Sequence, residues 1–423
     1  MENYHISEKR EGFASEEIEE ILIRYFDGKD LKKVLFVIPD HTRYHSNAGY
    51  IANTLYHHFT KQGVHVDLLE ALGTHEKMSE EEVSYMYGDI PYASFIPHDW
   101  RNDVVKIGEV PASFIEEVSE GLWKESLDVE VNKLILDPSY DLVLSIGQVV
   151  PHEVIGMSNH SKNLFVGTGG SNMINSSHMI GAVYGMERMM GRDFTPVRKI
   201  FDYALEHYLK DIPLTFILTV TTGMGTTINT HGLFIGRERK CLEEAVKLSQ
   251  EKNVNWLDTG IKKCVVYLDP KEFKSTWLGN KAVYRTRMAM ADGGELIILG
   301  QGVCRFGEDK RVDELIRKYG YTGRLHILEK LNEEDDLKAN MSAAAHLIHG
   351  SSDGRFSITY AVENISKEEI ESVGYKAADY GAMVKKYDIG ALEYGYNTVD
   401  GEEVFYIPNP ALGLWIDKER FEG

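Results

Sequence analysis

Short apolar runs alternate with longer amphipathic stretches along most of this chain. Residues 34–38, 66–69, 142–146, 214–220, 264–268, 295–299 and 356–360 have strand length and predict short, largely buried strands. Between them, residues 48–61, 197–209, 242–251 and 281–291 repeat apolar positions with helical spacing. Such alternation predicts an α/β fold of mostly parallel sheets flanked by helices. No internal repeat or low-complexity segment interrupts it. The polar stretch 249–255 precedes a new strand, which places an N-terminal α/β domain at 1–255 and a C-terminal one at 256–423. Two such domains put the expected active site in the cleft between them.

Candidate chemistry gathers just after predicted strands, where open α/β sheets bind ligands. Pro39-Asp40-His41-Thr42-Arg43 follows the first strand. Asp40 or Thr42 suits a cap there, and Arg43 is either a surface side chain or a fork for a carboxylate or phosphate. Gly73-Thr74-His75 follows the second strand; Ser79 and Glu82 behind it have capping-box spacing. His75 is open to two readings, a hydrogen-bonded loop histidine or a proton-transfer group.

The third cluster is the densest. Pro151-His152, Lys162, Gly167-Thr168-Gly169-Gly170-Ser171 and His178 follow residues 142–146. The glycine turn offers backbone N–H groups to an anion, although it lacks the Walker order. His152, His160 and His178 fit neither H-E-x-x-H nor zinc-finger spacing, which leaves room for one imidazole ligand and other groups. Lys281, within Trp277-Leu278-Gly279-Asn280-Lys281, is by itself only a helix start.

The balance of 46 basic against 66 acidic side chains gives a formal charge of −20, which disfavours nucleic-acid binding. Cys241, Cys264 and Cys304 are sparse and widely separated, which argues against a disulfide framework or a cysteine zinc site. The first residues lack a basic region followed by an apolar one, and no apolar run has membrane-spanning length. A cytoplasmic protein with no membrane or nucleic-acid partner is the expectation.

In combination, these motifs resemble those of the lactate racemase family. Asp40-His41-Thr42-Arg43 is similar to its DHTR turn, Gly73-Thr74-His75 to its GTH turn, and Pro151-His152 to its PH step. Lys162 and His178 fall at the spacing of its lysine and second histidine, and Lys281 at that of its C-terminal-domain lysine. The resemblance spans residues 34–390. It implies a racemase or epimerase that inverts C2 of a 2-hydroxy acid by hydride transfer to and from a nickel-pincer nucleotide. This cofactor is a pyridinium thioamide/thiocarboxylate mononucleotide carrying nickel, made by separate cofactor-synthesis enzymes.

On that resemblance His178 is the nickel ligand and Lys162 the point of cofactor attachment. His75 and His152 are the two acid/bases, while Arg43 and Lys281 share the substrate carboxylate and cofactor phosphate. Asp40 orients Arg43 or contacts the cofactor, and Gly169 and Gly170 line its site. Three positions depart from the family: Tyr44 replaces a proline, Asn159-His160 a glycine pair, and Leu278 a glutamine. All three are expected to shape the substrate pocket, pointing to an acid larger than lactate, such as a sugar acid. His160 is open to three readings: substrate contact, cofactor contact or a surface position. The alternatives are a metal-dependent hydrolase or lyase acting on a sugar acid, and a non-catalytic binder of the nickel nucleotide.

Overall fold

The computed structural model of the chain describes residues 3–224 and 227–422. It divides into two compact units: Met1–Ile180 with Met189–Asn253, and Gly181–Arg188 with Val254–Gly423.

The first unit is built on a seven-stranded sheet in the order Tyr4–Ile6, Thr227–Gly236, Leu214–Met224, Leu142–Gln148, Lys33–Ile38, His65–Glu70, Phe95–Pro97. The five strands from Leu214–Met224 to Phe95–Pro97 are parallel, and the other two pair antiparallel. Lys33–Ile38 is buried beyond its first residue, as a strand covered on both faces must be. Its register sets Val34 beside Val66 on one side and Leu142 on the other. Phe36, Leu68 and Leu144 from three adjacent strands meet Leu55 and Phe59 of the helix Ala48–Lys61 in one core. Because Lys33–Ile38, His65–Glu70 and Leu142–Gln148 run in parallel, the loops bearing Asp40, His75 and His152 leave the same sheet edge. A two-stranded ribbon, Val104–Val110 with Leu127–Asn132, completes this unit's longer strands.

The second unit holds a six-stranded sheet in the order Lys376–Asp379, Ser357–Val362, Met290–Leu299, Ile261–Tyr267, Glu402–Ile407, Gly395–Val399. All neighbours are parallel except the last pair. The segment Gly181–Arg188 groups with this unit, and within it Glu187 Oε1 lies 2.7 Å from Arg287 Nε and 3.2 Å from Arg355 Nη1.

One expected helix is shortened. Residues 281–291 are helical only over Lys281–Thr286, and a strand begins at Met290. Met290 is captured by Ile261 of the neighbouring strand, and Gly293, at φ +77°, lies beside an irregularity in that register. Sheet pairing overrides the local helical spacing. Among the described residues no helix is long and apolar enough to cross a membrane.

Candidate active site

Asp40 ends the first parallel strand's loop and caps the 3-10 turn His41–Ser46. Its Oδ1 accepts from Thr42 N–H at 2.9 Å and from the Thr42 hydroxyl. Its Oδ2 meets His75 Nδ1 at 2.6 Å. Burial raises the Asp40 carboxyl, but the hydrogen bonds of His75 and Thr42 and the charge of Arg43 outweigh it and hold the group well below the usual carboxylate range. Both Asp40 oxygens are thus engaged, one by Thr42 and the other by His75. The Tyr87 hydroxyl donates to Pro39 O and fixes the turn from beneath. Arg43 is exposed, with Nη1 3.4 Å from Thr42 Oγ1.

His75 stands on a loop tied at several points. Gly73, at φ +58°, donates to Gly167 O at 2.8 Å, and Met78 N–H donates to the buried Glu70 carboxylate at 3.1 Å. Behind them Ser79 and Glu82 form the expected capping box. The ring of His75 is 52% exposed while its Asp40 partner is 6% exposed, so one face of a fixed imidazole is open to a ligand.

His152 lies in a small bridge, Pro151–His152 with Gly156–Met157, and its Nδ1 accepts from Val154 N–H at 3.1 Å. Desolvation drives the ring well below the ordinary histidine range; Glu153 opposes, and the charges of Lys162, Arg43 and His178 add to the fall. Desolvation also pushes the Lys162 amine down to about 8, helped by Arg43 and opposed by Glu153 and Asp40. His178 on the helix Ser171–Tyr184 donates from Nδ1 to Ile174 O at 2.6 Å, and desolvation lowers it too. Asp40, Arg43, His152, Lys162 and His178 therefore share one electrostatic environment. Glu153, which sequence reasoning passed over as the neighbour of a histidine, belongs to it as the acidic member.

Asn159 and His160 are no part of a substrate pocket, contrary to expectation. Both adopt left-handed backbone, φ 64° and 57°, which explains why glycines suit these positions and why asparagine is a tolerable replacement. His160 is 1% exposed and stacks on Phe216 at 3.9 Å, so the surface reading is also corrected. The turn is held by Arg198, fully buried, which donates to Met157 O, Asn159 O and Ser161 Oγ at 2.7, 3.1 and 2.7 Å. Nothing in the sequence distinguished this arginine from the others of an amphipathic helix. Tyr44 does border open space: it stacks on Tyr85 and helps wall a cavity of ≈ 320 Å³ with Tyr50 and Asn53.

The glycine turn is packed against protein. A Cβ on Gly169 would lie 1.9 Å from Phe165 O, and one on Gly170 2.2 Å from Glu130 Oε2. Glu130 Oε2 accepts from Asn172 N–H at 3.1 Å, supplying the negative charge that a helix N-terminus favours. Asn132 N–H donates to Thr168 O at 2.7 Å, and His98 Nε2 donates to Gly169 O at 3.0 Å. The carbonyls of Thr168 and Gly169 and the N–H of Asn172 are thus bonded to Asn132, His98 and Glu130.

In the second unit Lys281 Nζ lies 4.0 Å from Glu272 Oε1 and 5.5 Å from the Phe273 ring centroid. The preceding Asn280 is fully buried and accepts from the hydroxyls of Tyr360 and Tyr375 at 2.7 and 3.0 Å. Leu278 N–H donates to the capping Ser275 hydroxyl at 3.2 Å.

Residues 15–190 match the family described as lactate racemase N-terminal domain. No curated protein is similar enough in sequence to count as a relative. A crystal structure of a protein from Thermotoga maritima is similar over 97% of this chain and 100% of that one, with 25% identity and a TM-score of 0.81. The lactate racemase apoprotein from Thermoanaerobacterium thermosaccharolyticum is similar over 96% of this chain and 93% of its own, at 17% identity and a TM-score of 0.71. The second likeness is one of fold.

Proposed function

Since the chain belongs, through residues 15–190, to the lactate racemase N-terminal domain family, we propose that it is an isomerase inverting C2 of a 2-hydroxy acid with a nickel-pincer nucleotide. The observation that carries this reading is the Asp40–His75 pair on the sheet edge that also bears His152, with Lys162 and His178 in the same field. Family membership supports a racemase or epimerase role; substrate and cofactor are our reading.

The donor set suits a metal that arrives with ligands of its own. Among the described residues no group of three or more His, Cys, Asp or Glu side chains could hold an ion. His178 instead offers one neutral imidazole: its Nδ1–H is spent on Ile174 O, which leaves the Nε2 lone pair for nickel. Lys162, lowered to about 8, has a substantial neutral amine fraction near neutrality, the form needed for covalent attachment. A hydrolase or lyase using a bare ion at several histidines finds no such cluster among the described residues. When bound, the nucleotide supplies a hydride acceptor and donor at C2.

The protein's own part is to bind, orient and move protons. Arg43 offers a planar fork to the substrate carboxylate, and Lys281 is proposed as a further anion contact. His75 and His152 exchange the hydroxyl proton on the two sides of a planar keto acid. Gly169 and Gly170 act by placing the helix that carries His178. Of the departures, Tyr44 and Leu278 are left to adjust substrate size, which keeps an acid larger than lactate, including a sugar acid, as the proposed class.

Co-production with cofactor-synthesis enzymes, followed by nickel analysis and chiral separation of a panel of 2-hydroxy and sugar acids, tests this. Inversion of one acid by nickel-loaded protein is the expected result. Nickel uptake with no inversion across the panel would reduce the protein to a binder of the nucleotide.

A further inference from the structure

The two acid/base histidines are held by partners of opposite chemistry. Asp40 Oδ2 only accepts, so its 2.6 Å contact fixes the proton of a neutral His75 on Nδ1 and leaves the lone pair on Nε2. Val154 N–H only donates, so its 3.1 Å contact takes the Nδ1 lone pair of His152 and puts that ring's proton on Nε2. Resting on the two-histidine reading above, we propose that the resting protein is one-handed. His75 is the ready base, so the hydroxyl proton of the antipode facing it is taken up directly, while the Nε2 of His152 already carries a proton. The other antipode must wait until His152 releases Val154 and carries its proton on Nδ1.

Proton accounting shows why. From the antipode whose hydroxyl faces His75, the O–H bond breaks and an N–H bond forms at Nε2. The resulting imidazolium keeps its Nδ1–H on the ionised Asp40. The electron pair left on oxygen closes the carbonyl as C2 gives up its hydride, for which the nucleotide would be the acceptor when bound. To complete inversion His152 takes a second proton from solvent at Nδ1, releasing Val154, before it gives its Nε2 proton to the product oxygen; the neutral ring would otherwise be left an imidazolate. The same transfer to His152 is blocked as the ring stands, because Nε2 already carries a proton. The acidic group beside Nδ1 is Glu153, whose carboxylate lies 3.9 Å away. The asymmetry does not bias the final mixture, because a racemic equilibrium requires equal kcat/KM in both directions. It appears in the first turnover and in how kcat and KM divide.

Histidine-ring 15N long-range correlation spectra of the whole protein read each tautomer directly, with His75→Gln and His152→Gln assigning the signals. The expected result is an Nδ1–H ring at His75 and an Nε2–H ring at His152. The same tautomer at both, or a freely exchanging His152, overturns the proposal. Cofactor-loaded protein in excess over substrate should then convert one antipode to the keto acid in a burst stoichiometric with sites and the other after a lag; equal bursts would also overturn it. Absence of inversion with every acid would count against the functional reading, while the ring spectra still decide the tautomers.

Discussion

Glu130 and Gly170 compete for the same space: the carboxylate Oε2 sits 2.2 Å from where a Gly170 side chain would begin. That oxygen is also the acceptor for Asn172 N–H at the start of the His178 helix. Gly170→Ala should therefore push Glu130 off the helix end and cost about 1–3 kcal/mol, the range for overpacking a filled site. Glu130→Gln should cost less, about 0.3–1 kcal/mol, since it removes charge at the helix end but keeps an acceptor. Urea unfolding of both variants checks the order; equal losses would show that charge, not space, dominates.

His178→Ala should abolish nickel retention while leaving the fold intact, because the ring is partly exposed and its Nδ1 bonds to a carbonyl of its own helix. Metal analysis beside circular dichroism separates the two. Nickel kept at the wild-type ratio would assign the metal to another side chain.

Asp40→Asn should lower inversion by ~10²–10⁴-fold, the usual worth of positioned acid–base catalysis, with bound cofactor unchanged. An asparagine can present N–H to His75 Nδ1 and so reverse the ring's tautomer. Chiral turnover assays and nickel content, measured on one preparation, provide the check. Unchanged turnover would mean that Asp40 serves only the turn.

Lys162 gives a pH signature with a definite sign. Its folded value is lowered from 10.5 to about 8, so between those values the unfolded chain binds more protons than the folded one. Stability contributed by this site therefore rises with pH from about 8 towards 10.5 and is smallest below 8, where the folded protein must carry a desolvated charge. Relative to Lys162→Met, the cofactor-free wild type should gain stability across that window in urea titrations. A flat difference would place the amine in water.

Asn159→Ala should destabilise by about 1–2 kcal/mol, the cost of putting a β-carbon without a local hydrogen bond into left-handed backbone. The asparagine carbonyl now accepts from the following His160 N–H at 2.7 Å. Thermal unfolding of the alanine and glycine variants tests this, with glycine expected near wild type.

Much of the first unit was legible because its strands are continuous apolar runs and its motifs sit at their ends. The Ser79–Glu82 box and the Asp40 cap could be read from spacing alone, since both are local. What escaped is what distance in sequence hides. Arg198 reaches back 41 residues to Met157 O, and Glu130 reaches forward 42 to Asn172. Nor could the sequence show that the Glu130 carboxylate lies against the glycine turn. The strand at Met290 escaped because a neighbour, Ile261, decides it.

The segment Gly181–Arg188 has a consequence for how this chain can be divided and inherited. The backbone passes from one compact unit to the other three times, after Ile180, Arg188 and Asn253. A fragment beginning at Val254 would lack Glu187 and leave Arg287, 2% exposed, with Asp353 as its carboxylate partner among the described residues. Removing one of the carboxylates that hold a buried guanidinium destabilises the unit that keeps it. A recombination joint at residue 253 would thus leave the second piece without part of its own unit. The halves of this gene can be exchanged between relatives only if those eight residues travel with the second half.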